Sequence, residues 1–455
     1  MSIFKVRPRN FEVIMNNSYR TQAIETLKKI FKNKSYSNIV INNDIKNVDN
    51  RFLSLYRKSV LGVVENLLFI DWIINEVSVT KTKKMEIDVL TVLRLAVYQM
   101  FFLDKSHENI VVNESVQYIK DKGNIRGSKF INGVLRNTLR SKDNLISKMN
   151  KLPKDDYLSI KYSYPKELIN KWQKQFGKDL ESVLIANNKE APLEIRVNTL
   201  KIKRDDLIKL FEEKGIKAYK CKYADKGLVI ENPFEIDGTE EYKSGFFSVQ
   251  SESSMLAGQI LNPGEGSFII DLCAAPGGKT LNAAEMMNNT GKIISRDIYP
   301  GKLRLIENEL KRLDINNVKA EEYDATILDE SLLEKADYVI ADVPCTGLGI
   351  IRRKPEIKYN GAENVNDIKE IQYKILENAS KYLKPSGELV YSTCTTNPEE
   401  NIEIINKFLK NKNFVLTDFS DNIDECFTTA KDGYVEIYPH LHDMDGFFIA
   451  KLKRL

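Results

Sequence analysis

The chain has 455 residues, 42% apolar and 29% charged, with 22 Gly and 13 Pro, which excludes disordered, collagen-like and low-complexity classes and suits roughly two to four globular domains. Its net charge is only +4, but residues 1–150 hold 25 basic and 14 acidic side chains, a local +11, against −7 for the remainder. Such asymmetry points to a polyanionic partner for the first third, although Lys-rich solvated helix faces would give the same count.

The longest apolar run, 60–74, is interrupted by Glu65, Asn66 and Asp71 and cannot span about 30 Å of hydrocarbon, so no membrane partner is expected. The first twenty residues carry Lys5, Arg7, Arg9 and Arg20 without an apolar segment of signal-peptide length, and a cytoplasmic location is expected. Five cysteines, odd in number, widely spaced and never in C-x-x-C, argue against a disulfide framework and against a metal site. With only His107, His440 and His442 present, chemistry resting on a His base or ligand is not expected.

From about Tyr19 to Arg140 apolar residues recur every three or four positions, as in Ile24, Leu27, Ile30 and Phe31, which predicts an all-α bundle over 1–145. Its members are expected at 50–75, 84–103, 112–120 and 127–139. Residues 150–245 read as a small α+β module: helix 165–176, strand 193–197, helix 203–214, strand 227–230. From 246 to 455 short runs rich in Ile and Val (268–272, 292–297, 318–321, 338–342, 388–392) alternate with helical stretches (279–287, 300–313, 365–383, 398–409). That rhythm predicts βαβ units, a mostly parallel sheet covered on both faces, and ligands beyond the carboxyl ends of the strands.

The loop after the first of these strands runs Cys273, Ala274, Ala275, Pro276, Gly277, Gly278, Lys279, small or turn-forming residues that let backbone approach a ligand before a helix begins. A plain tight turn would read the same way. Neither G-x-G-x-x-G nor G-x-x-x-x-G-K-[ST] is present, so neither NAD nor ATP is favoured. Asp297 closes the next strand about 20 residues past the glycines, where a carboxylate can accept hydrogen bonds from a ribose, and Asp324 follows the third. Asp342 closes the fourth strand with Cys345 just beyond it, and Cys394 follows the fifth. Two thiols at one end of one sheet form a constellation, whereas Cys221 and Cys426 read as small apolar residues packed near strand ends.

These motifs, CAAPGGK, DVPCTGLG and STCT-x-NPEEN, in this order and spacing, resemble the RNA cytosine-5 methyltransferases of the RsmB/Nop2/Sun type. The segment Arg196-Val197-Asn198 with Val249-Gln250-Ser251-Glu252-Ser253-Ser254 is similar to the part that precedes the catalytic domain in that family, and Asp445-Gly446-Phe447-Phe448 to its last strand. The bundle, with Leu95-Ala96-Val97-Tyr98-Gln99, Val112-Asn113-Glu114-Ser115-Val116 and Phe130-Ile131-Asn132-Gly133-Val134-Leu135-Arg136, resembles the NusB-like RNA-binding fold. The chain departs from the family pattern at Val343 (usually Ala), Ser251 (usually Asp) and Tyr359 (often Trp).

The resemblance implies a NusB-like bundle, an RRM-like middle module and a Rossmann-like methyltransferase domain that uses S-adenosylmethionine. It assigns residues 273–279 to the cofactor loop, Asp297 to the ribose hydroxyls and Asp324 to the adenine side; Asp342 is expected to hydrogen-bond the N3 and amino edge of the base and is also counted among the cofactor-binding residues. Cys394 is implied as the nucleophile that adds to cytosine C6, and Cys345 as the thiol of the later release step. Lys279 either favours thiolate formation or holds the cofactor loop. Fusion to a NusB-like bundle implies 16S ribosomal RNA as substrate; a single-stranded or loop region is expected because it lowers the cost of unstacking the base, the enzyme is expected to be a monomer, and Arg352, Arg353 and Lys354 are expected to bind phosphates. A tRNA or 23S rRNA methyltransferase would share every catalytic motif, and a noncatalytic RNA-binding module would share the bundle but not both cysteines.

Overall fold

The computed structural model describes residues 19–33, 35–103, 107–231, 236–360, 365–410 and 413–455; the basic positions Lys5, Arg7 and Arg9 lie outside them. The chain divides into two compact units, Met1–Asn188 with Lys354–Asn360, and Lys189–Arg353 with Gly361–Leu455. No helix among the described residues is long and apolar enough to cross a membrane.

The first unit is helical. Helix Ile87–Phe102 buries eleven of its sixteen residues, the mark of a central helix with neighbours on every side. Helix Ile125–Met149 is amphipathic instead: Ile131, Val134, Leu135 and Thr138 are buried, and Asn124 caps its start by accepting from Gly127 N at 2.7 Å. The segment expected as one helix over 50–75 is two, Leu53–Glu65 and Leu67–Val77, after a short turn at Asn50–Phe52. The break has a specific cause. In a continuous helix the carbonyls of Val64 and Glu65 would accept from residues 68 and 69. Here they accept from Tyr359 Oη at 3.0 Å and Lys358 Nζ at 3.0 Å, while Leu68 N donates to Ser163 Oγ at 2.7 Å.

Residues Lys354–Asn360 thus form a strap on the helical unit. At its other end the Glu356 carboxylate accepts from both Ser37 N and Ser37 Oγ at 2.9 Å, at the start of helix Ser37–Asp44. The Glu356 anion at a helix start complements the helix dipole there, and Lys358 Nζ satisfies a carbonyl at another helix end by hydrogen bonding. Tyr359, where the family often has Trp, uses its hydroxyl in this contact.

In the second unit the strands are β1 Leu193–Val197, β2 Ala218–Lys220, β3 Gly227–Ile230, β4 Phe247–Val249, β5 Phe268–Asp271, β6 Lys292–Asp297, β7 Val318–Glu322, β8 Ala336–Asp342, β9 Leu383–Thr393, β10 Phe414–Leu416, β11 Tyr434–Ile437 and β12 Phe447–Arg454. The first four make an antiparallel sheet in the order β2-β3-β1-β4, with helix Arg204–Glu213 packing Leu207 and Phe211 onto it. The others make the large sheet, β10-β12-β9-β8-β5-β6-β7, in which β7 through β9 are parallel, β12 is antiparallel to β9, and β11 pairs with β12. Successive residues of the central strands face opposite sides: Ile269, Ile293 and Ile340 pack in one core with Leu256 and Ala284, while Ile270, Ile294 and Val339 pack in another with Ile375 and Leu376. The strand order reverses between β5 and β8, so the loops after those two strands flank the crevice where open α/β sheets bind ligands.

Candidate active site

The carboxyl ends of β7, β6, β5, β8 and β9 lie in a row, and every residue expected to do chemistry stands on the loops that leave them. Asp324 follows β7, Asp297 ends β6, residues 273–278 follow β5, Asp342 ends β8 with Cys345 beyond it, and Cys394 follows β9. The parallel register sets Asp342 beside Ser392. From that pairing the two loops run on side by side, and the sulfurs of Cys345 and Cys394 come to 3.2 Å. Both thiols are free and half-buried. The hydrogen bond to Cys394, burial, and the charges of Cys394 and Glu400 push the Cys345 thiol well above its ordinary range.

The loop after β5 is built for close approach. Gly277 sits at φ +108°, a conformation that favours glycine, immediately before helix Gly278–Met286. Ala275 N donates to Asp297 Oδ2 at 3.3 Å and Tyr299 N to Asp297 Oδ1 at 3.0 Å, so one carboxylate ties the loop to the end of β6. Asp324 Oδ1 accepts from Thr326 N and Oγ1 at 2.8 and 2.7 Å in a local turn. Burial, reinforced by Asp271, Asp342 and Asp297, holds the Cys273 thiol well above its usual range, so this cysteine is a neutral packing group. Buried Asp271, at the end of β5, accepts from Thr280 Oγ1 at 2.6 Å, and burial raises it to about 7. Small residues next to two strand-end carboxylates, at a helix start, fit a ligand that carries hydroxyls and an exocyclic amine.

Lys279 is buried, and its Nζ lies 2.6 Å from Asp342 Oδ2 and 3.3 Å from Ser254 Oγ, with the Phe447 ring 5.1 Å away. Ser392 Oγ donates to the other carboxylate oxygen, Asp342 Oδ1, at 2.7 Å. Neither role expected for Lys279, favouring a thiolate or holding the cofactor loop, is decided by these contacts; what they show is the ammonium paired with Asp342.

Several residues that position the site stand in motifs quoted from the sequence, but without a role assigned to them there. Arg196, fully buried on β1, reaches Glu285 Oε1 and Oε2 at 2.8 and 3.1 Å, the Gly278 carbonyl at 2.9 Å, and Gln250. Gln250 donates to Ser254 Oγ at 3.0 Å, which completes a chain from the small sheet through Ser254 to Lys279 and Asp342. Gly349 and Gly446 touch backbone to backbone: a Cβ on Gly349 would stand 2.0 Å from the Gly446 oxygen, and Gly349 N donates to Cys394 O at 3.0 Å. Glu400, wholly buried, accepts from groups behind both cysteines. The motifs containing these residues were legible, but pairings across 89 or 54 residues carry no local pattern.

Two expectations need correction. Arg352 and Arg353 are not available to phosphates: Arg352 Nε donates to Asp445 at 2.6 Å, and Arg353 pairs with Asp445 and, at 2.5 Å, with Glu194. A basic run reads as a surface patch until the partners of its members are known. Burial raises the Glu194 carboxyl to about 7 despite Arg353, which opposes the shift. Cys221 is buried as expected, but Cys426 is exposed, on a turn where its N–H donates to Asp424 at 3.0 Å. A cavity of about 450 Å³ lies elsewhere, lined by Arg196, Lys226, Met255, Asn282 and Asp424 among others, and includes neither thiol nor any of the strand-end carboxylates.

Three family models match the chain in succession: the NusB family over residues 17–140, the ferredoxin-like domain of RsmF/B-like methyltransferases over 164–237, and the 16S rRNA methyltransferase RsmB/F model over 258–453. The probable ribosomal RNA small subunit methyltransferase B of Bacillus subtilis (strain 168) is 31% identical over 453 residues, covering 96% of this chain and 99% of that protein. The chain belongs to the RsmB/F family of ribosomal RNA methyltransferases. Members of this family depend on S-adenosylmethionine, and their three-part build of NusB-like bundle, small α+β module and Rossmann-like catalytic domain is the one described above. Among other relatives, the human 28S rRNA (cytosine(4447)-C(5))-methyltransferase is 35% identical over 325 residues, 67% of this chain and 39% of that protein. A crystal structure of the protein PH0851 matches with a TM-score of 0.82 at 28% identity, over 96% of this chain and 98% of that one.

Proposed function

We propose that this RsmB/F-family enzyme methylates C5 of a cytidine in 16S ribosomal RNA through a covalent adduct between Cys394 and C6 of the base. The observation that carries the reading is the pair of free thiols 3.2 Å apart at the crevice. Cytosine C5 is a weak nucleophile, and addition of a thiolate at C6 is the step that loads electron density onto it. S-adenosylmethionine, when bound, supplies the electrophilic methyl group. Cys394 makes the bond to C6, and Cys345 serves the later step in which the C5 proton is lost and the Cys394–C6 bond breaks. Asp342, held from two sides by Lys279 and Ser392, hydrogen-bonds the N3 and amino edge of the base and stabilises charge that develops there. Residues 273–279 with Asp297 and Asp324 hold the cofactor.

The division of labour follows the parts of the chain: residues 1–145 bind RNA, 150–245 brace the cofactor loop, and 246–455 catalyse. Support for the first comes from helix Ile125–Met149, where Arg126, Lys129, Arg136 and Arg140 are exposed at spacings of three, seven and four, which places them on one face. None of the four is in an ion pair among the described residues, whereas Lys142 and Lys148 further along are paired with Glu108 and Glu76. Exposed cations without an ion pair among the described residues suit phosphates of single-stranded or loop RNA, from which a base leaves its stack at low cost.

The test is bisulfite sequencing of ribosomal and transfer RNA from cells with and without the gene. One protected cytidine in 16S rRNA that depends on the gene is the expected result. Dependence confined to tRNA or to 23S rRNA would move the substrate, and no dependence anywhere would remove the activity.

A further inference from the structure

Glu400 is 0% exposed, and both its oxygens are surrounded by donors: Thr346 N at 2.8 Å, Thr346 Oγ1 at 2.6 Å, Asn397 Nδ2 at 2.9 Å and Gln372 Nε2 at 3.2 Å. Both amides turn their NH₂ groups to it, although this leaves Asn397 Oδ1 and Gln372 Oε1 without a hydrogen-bond partner. A protonated carboxyl would need an acceptor for its own hydrogen; a shell of donors is the arrangement that an anion requires. The hydroxyls run in one direction. Asn397 N donates to Thr395 Oγ1 at 3.3 Å, the Thr395 hydroxyl can donate to Thr346 Oγ1 at 2.9 Å, and Thr346 donates to Glu400. Thr346 follows Cys345 directly, and Thr395 follows Cys394 directly. One buried anion therefore holds the residue behind each thiol.

We infer that Glu400 is a positioning residue that locks the Cys345 and Cys394 loops together and, through its negative charge beside Cys345, keeps the proton on Cys345 in the resting enzyme. Buried charge with no cation in its hydrogen-bonding shell acts at short range through a medium that screens poorly. It opposes a second negative charge on the neighbouring thiol, and so adds to the upward displacement that the Cys394 hydrogen bond and burial give Cys345. A Cys345 that retains its hydrogen can donate it to the Cys394 sulfur 3.2 Å away, so the roles of two adjacent thiols are set before RNA arrives. The inference rests on the two-thiol reading above.

The experiment alkylates the RNA-free full chain with iodoacetamide over a range of pH and reads Cys345 and Cys394 separately by peptide mass spectrometry, in wild type, Glu400→Gln and Glu400→Asp. In folded Glu400→Gln the charge is gone, and the alkylation midpoint of Cys345 moves down by about one pH unit or more, while the dissociation constant of S-adenosylmethionine stays within about twofold. In Glu400→Asp the charge stays while the bonds to Thr346 lengthen: Cys345 keeps the wild-type midpoint, and kcat falls by about tenfold with little change in KM for RNA. An unchanged Cys345 midpoint in folded Glu400→Gln, or a lowered midpoint in Glu400→Asp, overturns the inference, and the second arm decides if the Gln variant does not fold. Failure of Cys345→Ala to trap an RNA adduct would instead overturn the two-thiol reading, which the RNA-free alkylation profile does not address.

Discussion

The sulfurs of Cys345 and Cys394 stand 3.2 Å apart although 49 residues separate them along the chain. The closeness follows from the sheet: β8 and β9 are parallel neighbours, Asp342 is in register with Ser392, and each strand is followed within three residues by its cysteine. Gly349 N then ties the two loops together by donating to Cys394 O at 3.0 Å, an approach that a side chain at Gly349 would block. Two thiols at the switch point of a Rossmann-like sheet make a covalent cycle with separate attack and release groups geometrically available.

Asp297 gives the first prediction. Its carboxylate orders the cofactor loop through Ala275 N and is the proposed acceptor for ribose hydroxyls. Hydrogen bonds to charged groups are worth about 1.5–3 kcal/mol, so Asp297→Ala should weaken S-adenosylmethionine binding roughly tenfold to a hundredfold by calorimetry. Unchanged affinity would remove Asp297 from the site.

Arg196 and Glu285 form an ion pair with side-chain exposures of 0% and 1%. Removing one partner of such a pair leaves an uncompensated buried charge, which costs about 3–5 kcal/mol. Arg196→Met should therefore lower the melting temperature sharply, and the double change with Glu285→Leu should recover much of the loss. A single variant that melts like wild type would show that the pair does not brace the loop.

The exposed stripe on helix Ile125–Met149 makes a prediction about salt. Each phosphate neutralised contributes a slope of about −0.7 to −0.9 in the dependence of log affinity on log salt. Replacing Lys129, Arg136 and Arg140 by Glu should weaken ribosomal RNA binding and flatten that slope by about two to three, with cofactor binding unchanged. An unaltered slope would make the stripe a solvated surface. Substitution is preferable to deletion here, because deleting the bundle would strip the partners from Glu356, Lys358 and Tyr359.

Lys358 predicts a pH dependence. Burial lowers its ammonium from the ordinary 10.5 to about 7, with the Glu65 carboxylate opposing the shift. Between those values the unfolded chain binds more protons than the folded one, so stability of the helical unit rises with pH across that window and is lost as pH falls toward 7. Lys358→Met should flatten this rise in melting temperature between about pH 7 and 9.5. Parallel curves for the two proteins would contradict it.

Much of this molecule is legible in its sequence because the signals are local. Ile and Val runs at 268–272, 292–297 and 338–342 mark the strands buried on both faces, and the loops that leave them carry the small residues, carboxylates and cysteines of the site. What escaped was set by distant partners. Asn66 does not announce a helix break; the break exists because Lys358 and Tyr359, almost 300 residues later, take the carbonyls that would have continued the helix. Arg352 and Arg353 look like a basic patch until Asp445 and Glu194 are placed beside them. The edge strand β10 is only three residues long, too short to show a period.

In the proposed cycle Cys394 attacks C6 of the base and Cys345 releases the product. The most direct test incubates wild type, Cys394→Ala and Cys345→Ala with 16S rRNA and S-adenosylmethionine and resolves the products by denaturing electrophoresis. A stable protein–RNA adduct is expected to accumulate in Cys345→Ala and to be absent from Cys394→Ala, with methylation lost in the latter. An adduct trapped in Cys394→Ala, or in neither variant, would contradict it.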